Sequence, residues 1–163
     1  MQHLPAQLVN ALQLQPHPEG GFFKETYRSP ITIHPEGFNG PRQLSTSIYY
    51  LLQQGDFSAF HRIASDELWH FHYGQDLLIH ELSGQGYTCH RLGTAFEKGA
   101  RPQVLIPAGA WFASEPAEES AFCLAGCTVA PGFDFRDFEL AKAAELAGRY
   151  PEHASLIHRL CRI

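Results

Sequence analysis

The chain has 163 residues, 44% of them hydrophobic and 18% charged, which fits one globular domain with a single core and disfavours a two-domain enzyme. Lys and Arg number 12 against 17 Asp and Glu, a net charge of -5 with no long run of one sign, so the sequence carries no electrostatic footprint for nucleic acid. Apolar runs such as Ile48 to Leu52 fall far short of the roughly 20 residues that span a bilayer, and Met1 to Asn10 lacks the basic start and apolar middle of a secretion signal, so a cytoplasmic protein is expected.

Apolar residues at Leu8, Val9, Ala11, Leu12 and Leu14 predict a short helix over Gln7 to Leu14, ended by Gln15-Pro16-His17-Pro18. Glu19-Gly20-Gly21 releases the chain into a strand over Phe22 to Arg28, and the Pro- and Gly-rich stretch Ser29 to Pro41 reads as a loop. Strands then follow at Leu44 to Gln53, Phe57 to Ile63, Leu68 to Tyr73, Leu77 to Leu82, Tyr87 to Leu92, Gln103 to Ile106, Trp111 to Ser114 and Phe122 to Val129. Gly, Pro, Asp and Ser clusters separate them, the pattern of a sandwich or barrel. Phe138 to Arg149 and Glu152 to Arg159 are Ala/Leu/Glu-rich and read as helices broken at Tyr150-Pro151. The expected architecture is all-β, one domain over 1–163, with a barrel at about 20–133 and a helical tail at about 137–160.

The 10 histidines are many for this length. His61 and, six residues later, Glu67 have the spacing that lets a strand-turn-strand hairpin bring an imidazole and a carboxylate to one inner face. Such a pair serves metal ligation or proton transfer. Alternation from Glu67 puts Trp69, Phe71 and Tyr73 on its face and turns His70 and His72 outward, unless a bulge intervenes. Tyr49, Phe60, Trp69, Phe71, Trp111 and Phe112 fall in strands that would wall the barrel, either filling its core or lining an apolar pocket for a small ligand. Arg28, Arg42 and Arg62 offer an anion-binding edge at its mouth. Cys89, Cys123, Cys127 and Cys161 form no C-x-x-C pair and read as free thiols. Cys123 and Cys127 share a strand face but lie roughly 13 Å apart at about 3.3 Å per residue, too far for a disulfide.

The run Gly55, His61, Ile63, Glu67, Gly74 resembles the first conserved motif of the cupin superfamily, and Pro107-Ala108-Gly109 resembles the core of its second. His17-Pro18-Glu19-Gly20-Gly21-Phe22, Tyr27-Arg28, Ser47-Ile48-Tyr49, Asp66-Glu67-Leu68-Trp69, Gly126 to Phe133 and Asp137-Phe138-Glu139 are similar to one little-characterised branch, the fifth cupin family, over about Leu8 to Tyr150. The resemblance implies a double-stranded β-helix, or jelly-roll barrel, with a short N-terminal helix and C-terminal helices. Where metal-binding cupins place two further histidines, this chain has Ile63 and Phe112. With only His61 and Glu67 left as ligands, no cofactor or tightly bound metal is expected, a divalent metal on these two residues being the alternative.

Some metal-free cupins, similar to dTDP-4-dehydrorhamnose 3,5-epimerase, use a strand histidine as base and a tyrosine as acid. The resemblance therefore implies acid-base isomerase or epimerase chemistry on a sugar-like or keto-acid substrate, with His61 as base, Glu67 orienting it or supplying a second proton, and a tyrosine such as Tyr49 or Tyr73 as acid. A non-catalytic small-ligand binding protein and a metal-dependent cupin enzyme are the alternatives. The expected partners are a small molecule and a second copy of the chain, a homodimer in which Phe22 to Arg28 pairs at an open edge, with neither nucleic acid nor membrane.

Overall fold

In the computed structural model, which describes residues 4–162, the strands assemble into two antiparallel sheets that face one another. The segment Met1 to His3, within the start considered for a secretion signal, and Ile163 lie outside the described residues. Helix α1 (Leu4–Leu12) leads into strands β1 (Gln15–Pro16) and β2 (Phe22–Arg28), a ribbon of β3 (Thr32–Ile33) and β4 (Arg42–Gln43), and then β5 (Thr46–Gln53) and β6 (Ser58–Arg62). Next come β7 (Asp66–Gly74), β8 (Leu77–Ser83), β9 (Gly86–Leu92), β10 (Gln103–Ile106), β11 (Trp111–Pro116) and β12 (Phe122–Ala130). The chain closes with β13 (Glu139–Leu140), α2 (Ala143–Arg149) and α3 (Ala154–Arg159).

One sheet runs β1-β2-β5-β12-β7-β10 and the other β13-β6-β11-β8-β9. Strands adjacent in sequence are therefore often split between sheets, and β6 and β7 are a case that matters. β6 pairs with β11 and β13, whereas β7 pairs with β12 and β10. His61 and Glu67 thus do not sit on a hairpin as the spacing suggested. The chain between them crosses from one sheet to the other.

Period-two alternation sorts the side chains into three packed layers. Between the sheets lie Tyr50, Leu52, Trp69, Leu77, Ile79, Leu92, Ile106, Phe112, Cys123 and Cys127, with Phe71 packed against them. Outside the six-stranded sheet, Leu51, Phe122, Leu124 and Tyr49 pack under Leu8, Val9 and Leu12 of α1. Outside the five-stranded sheet, Phe60, Leu82, Trp111 and Ala113 are covered by Leu146, Ile157 and Leu160 of the tail.

The structure shifts three expectations. Helix α1 begins at Leu4 and stops at Leu12, because Gln13 takes a left-handed φ of 55° that lets Leu14 turn back into the outer layer. The tail helix starts only at Ala143: Glu139 and Leu140 pair with Arg62 and His61 at the edge of β6, and that ladder replaces the helix expected from Phe138. The supposed loop Ser29 to Pro41 contains β3, paired with β4.

Candidate functional site

The residues His17-Pro18-Glu19-Gly20-Gly21 connect β1 to β2 and lie across one end of the space between the sheets. Gly20 and Gly21 take φ of 119° and 70°, and a Cβ on Gly20 would collide with the carbonyl of Phe57, so only glycine lets the connection press against the start of β6. The Ala59 amide donates to the Glu19 carbonyl at 3.1 Å, and the Tyr50 hydroxyl donates to the Gly20 carbonyl at 2.6 Å. This clamp delivers the Glu19 carboxylate, 7% exposed, to His61, 3% exposed, on β6.

His61 Nδ1 lies 2.7 Å from Glu19 Oε2 and 2.7 Å from the Ala59 carbonyl oxygen, so its N-H is shared between two acceptors. Ser58 Oγ donates to the same carboxylate at 2.8 Å. His17 Nδ1 sits 3.1 Å from the Glu19 amide nitrogen and 3.2 Å from Glu19 Oε1, and burial lowers its imidazole from the usual value against the charge of Glu19. Burial opposes a charge on His61, but Glu19 outweighs it and raises the imidazole above its usual value. Burial likewise opposes ionisation of Glu19, and the charge and hydrogen bond of His61, with His17 and Ser58, hold the carboxyl below its usual range.

Glu67, on β7 of the opposite sheet, lines the same cavity beside Cys127. Burial pushes its carboxyl up to about 7, an effect that the charge of His61 only partly offsets and that of Glu19 reinforces. The cavity has a volume of about 280 Å³. Its floor holds His61, Glu67, Glu19 and Cys127, its walls include Ile48, Ile63 and Val129, and its mouth is formed by Arg28, Glu25, Phe133 and Phe135. Nδ1 of His61 is committed, so Nε2, with no protein partner among the described residues, is the nitrogen left for a ligand.

Of the residues singled out in the sequence, His61, Glu67 and Arg28 border this cavity. The His61 carboxylate partner is Glu19, not Glu67. Arg28 stands at the mouth, doubly hydrogen-bonded to Glu25 at 2.8 Å. Arg42 does not: it is buried, with Asp137 and the Asn39 and Pro41 carbonyls taking up its guanidinium. Arg62 lies outside, paired with Glu139 and stacked over Trp111 at 4.5 Å. Phe60 and Trp111 belong to the layer under the tail helices, and Trp69 and Phe71 to the core between the sheets. Phe112 is also core, yet its ring packs 4.2 Å from that of His61.

Tyr49 is removed from the acid's role by its face. It packs under α1 and edge-on to His72 at 5.8 Å, on the outer side of the sheet. Tyr73 leaves the inner face because Ala125 pairs with Phe71 and Leu124 with Tyr73, so β7 bulges at His72 and Tyr73 swings out against Phe122. Tyr50 is the tyrosine that points inward. His17 and Glu19 were missed as site residues although their motif was noted, because nothing in the spacing ties a loop at 17–21 to a strand at 58–62.

A family model described as the cupin superfamily (DUF985) matches residues 6–141. The chain is a cupin. It is 33% identical over 153 residues to an uncharacterised protein of Saccharomyces cerevisiae, covering 85% of this chain and 76% of that one. Among solved structures, a hypothetical protein from Leishmania major superposes with a TM-score of 0.90 at 34% identity, covering 97% and 98% of the two chains. A protein from Shewanella oneidensis gives 0.86 at 42% identity, with 96% of each chain covered. Oxalate decarboxylase from Bacillus subtilis shares the fold alone, with a TM-score of 0.55 at 14% identity over 89% of this chain and 36% of that one.

Cupins often bind a metal, but the donors here do not fit a three-ligand centre. Ile63 and Phe112 put hydrocarbon where two imidazoles would stand, and His61 Nδ1 is spent on Glu19 and Ala59. Among the described residues no three His, Cys, Asp or Glu side chains converge in a ligating geometry. None of the described helices is long and apolar enough to cross a membrane.

Proposed function

We propose that the cavity is an acid-base active site for a small polar substrate, with isomerisation or epimerisation next to a carbonyl of a keto acid or sugar-like molecule as its chemistry. One observation carries this: an imidazole oriented by a buried carboxylate at 2.7 Å faces a second carboxyl, tuned to about 7, across one small cavity. In its neutral form His61 takes a substrate proton at Nε2, and Glu19 stabilises the imidazolium that results. Glu67 is about half protonated near pH 7 and gives a proton to the opposite face or to the developing enolate oxygen. Arg28 at the mouth attracts a carboxylate or phosphate, at the cost of its bonds to Glu25.

The test is solvent deuterium exchange into a panel of keto acids and sugar nucleotides, followed by proton NMR, with wild type, His61→Gln and Glu67→Gln. Exchange at one carbon that both variants abolish supports the assignment. Binding without exchange in wild type supports the second reading, a non-catalytic ligand-binding protein. The proposal extends to a homodimer: β1 covers only Phe22 and Phe23 of β2, so the edge from Lys24 to Arg28, with Tyr27 52% exposed, is open to a second copy.

A further inference from the structure

A second cluster of reactive side chains lies on the outer face of the five-stranded sheet, remote in the fold from the cavity between the sheets. Cys89 of β9 is directly opposite His80 of β8 in the register, with side chains on the same face. His80 is 5% exposed, whereas Cys89 is exposed. The imidazole is held at both ends: Nδ1 is 2.9 Å from the Tyr87 hydroxyl and Nε2 is 2.9 Å from Glu115 Oε1. Glu115 is in turn gripped by both terminal nitrogens of Arg159. This is the order of parts found in activated nucleophiles: a thiol, an imidazole, and a carboxylate that orients the imidazole.

We propose that Cys89 is a nucleophilic thiol that forms mixed disulfides with low-molecular-weight disulfides, activated by the chain of His80, Glu115 and Arg159. As imidazolium, His80 donates Nε2-H to Glu115 and Nδ1-H to the Tyr87 oxygen, which frees the Tyr87 hydroxyl proton for the Cys89 sulfur. The charged form of His80 is the favoured one: burial opposes it, but Cys89 and Glu115 raise the imidazole to about 9. The nearby imidazole of His80 first, then Tyr87 and Arg91, lower the thiol from its ordinary value against the effect of burial. His153, its ring 4.4 Å from Tyr87, completes the set of titratable neighbours. A recess of about 320 Å³ is lined by Tyr87, two residues before Cys89 on the same strand, together with Arg149, Tyr150 and His153.

The step balances without another reactant. The Cys89 thiolate attacks one sulfur of the disulfide, a new S-S bond forms as the old one breaks, and the second sulfur leaves as a thiolate. The protein thiol is oxidised and the small disulfide reduced by the same two electrons. Cys123, Cys127 and Cys161 are buried, so one rapidly reacting thiol per chain is expected.

The experiment follows the reaction of the native protein with the aromatic disulfide dithiodipyridine, by release of the coloured thione from pH 5 to 9, with the modified residue located by peptide mass spectrometry. Wild type is expected to react at Cys89 with an inflection below the roughly 8.5 of a free cysteine. Cys89→Ser removes the fast phase. His80→Gln moves the inflection up and slows the reaction at pH 7 about tenfold, and Glu115→Gln gives a shift in the same direction should His80→Gln fail to fold. An inflection that neither variant moves, or a fast phase mapping to another cysteine, overturns the proposal.

Discussion

Replacing Glu67 by Gln should make the protein more stable above neutral pH, and the size of the gain follows from the site. Burial raises the Glu67 carboxyl from its ordinary 4.5 to about 7. The folded state then holds a proton between these two values that the unfolded chain has released, so stability is lost as pH rises from 4.5 to 7 and stays lost above. At roughly 1.4 kcal/mol per pH unit, the loss amounts to about 3 kcal/mol. Gln keeps the shape and cannot ionise, so the variant escapes the loss. Urea unfolding of both proteins from pH 5 to 9 gives the difference directly. His61 and Glu19 titrate in both, so subtraction isolates Glu67 with its coupling to His61. The variant should be near wild type at pH 5 and about 3 kcal/mol more stable at pH 8 and above. A difference that does not change with pH would show that Glu67 is not desolvated, and its place as the second acid would fall with it.

His61→Ala leaves Glu19 buried with one partner fewer and should cost about 3 kcal/mol, much of it recovered in the Glu19→Gln, His61→Ala double variant; additive losses in denaturant unfolding would deny the pairing. The stabilisation by Glu19, lowered from 4.5, is full above that pH, and that by raised His61 is full below 6.5, so the gap between wild type and His61→Ala should be widest between these values and narrow as pH rises through the folded His61 value. Tyr49→Phe should leave ligand affinity at the cavity unchanged in calorimetry, since the hydroxyl lies under α1, while His61→Gln should weaken it at least tenfold, a step of about 1.4 kcal/mol. Plasma mass spectrometry of protein purified without chelator or affinity tag should find substoichiometric metal, equal in wild type and His61→Ala; near-stoichiometric metal lost in the variant would overturn the account of Ile63 and Phe112. Sedimentation at micromolar concentration should give a dimer that Tyr27→Pro, which breaks the open edge of β2, converts to monomer; a wild-type monomer removes the dimer.

Strand positions were legible because inner and outer residues alternate and because Gly and Asp punctuate the turns: β8, β9 and β10 fall within one residue of their expected bounds. Which sheet each strand joins was not legible, since alternation fixes the face of a side chain but not the neighbour of its strand. That is why the spacing of His61 and Glu67 suggests one hairpin although they belong to opposite sheets. The same limit explains Tyr49 and Tyr50: either register satisfies a run as apolar as Ile48 to Leu52, and only the α1 layer decides that Tyr49 faces out. At Tyr73 a single-residue bulge overrode a correct period.

The location of Glu19 explains what the glycines after it do. The carboxylate that meets His61 at 2.7 Å, itself 7% exposed, does not come from a strand of either sheet. The chain delivers it from a connection instead, and a connection that crosses the open end of a barrel must lie flat on backbone. Gly20 and Gly21 supply that close approach, with the Glu19 carbonyl and the Tyr50 hydroxyl tying the segment to both sheets. The His17-Pro18-Glu19-Gly20-Gly21 run is therefore one device: it closes the barrel end, excludes water from the imidazole, and orients it. Substituting Gly20 by Ala would force the clamp away from Phe57 and should lower both stability and any His61-dependent exchange together, whereas Glu19→Gln should spare the clamp and affect the exchange through the imidazole alone.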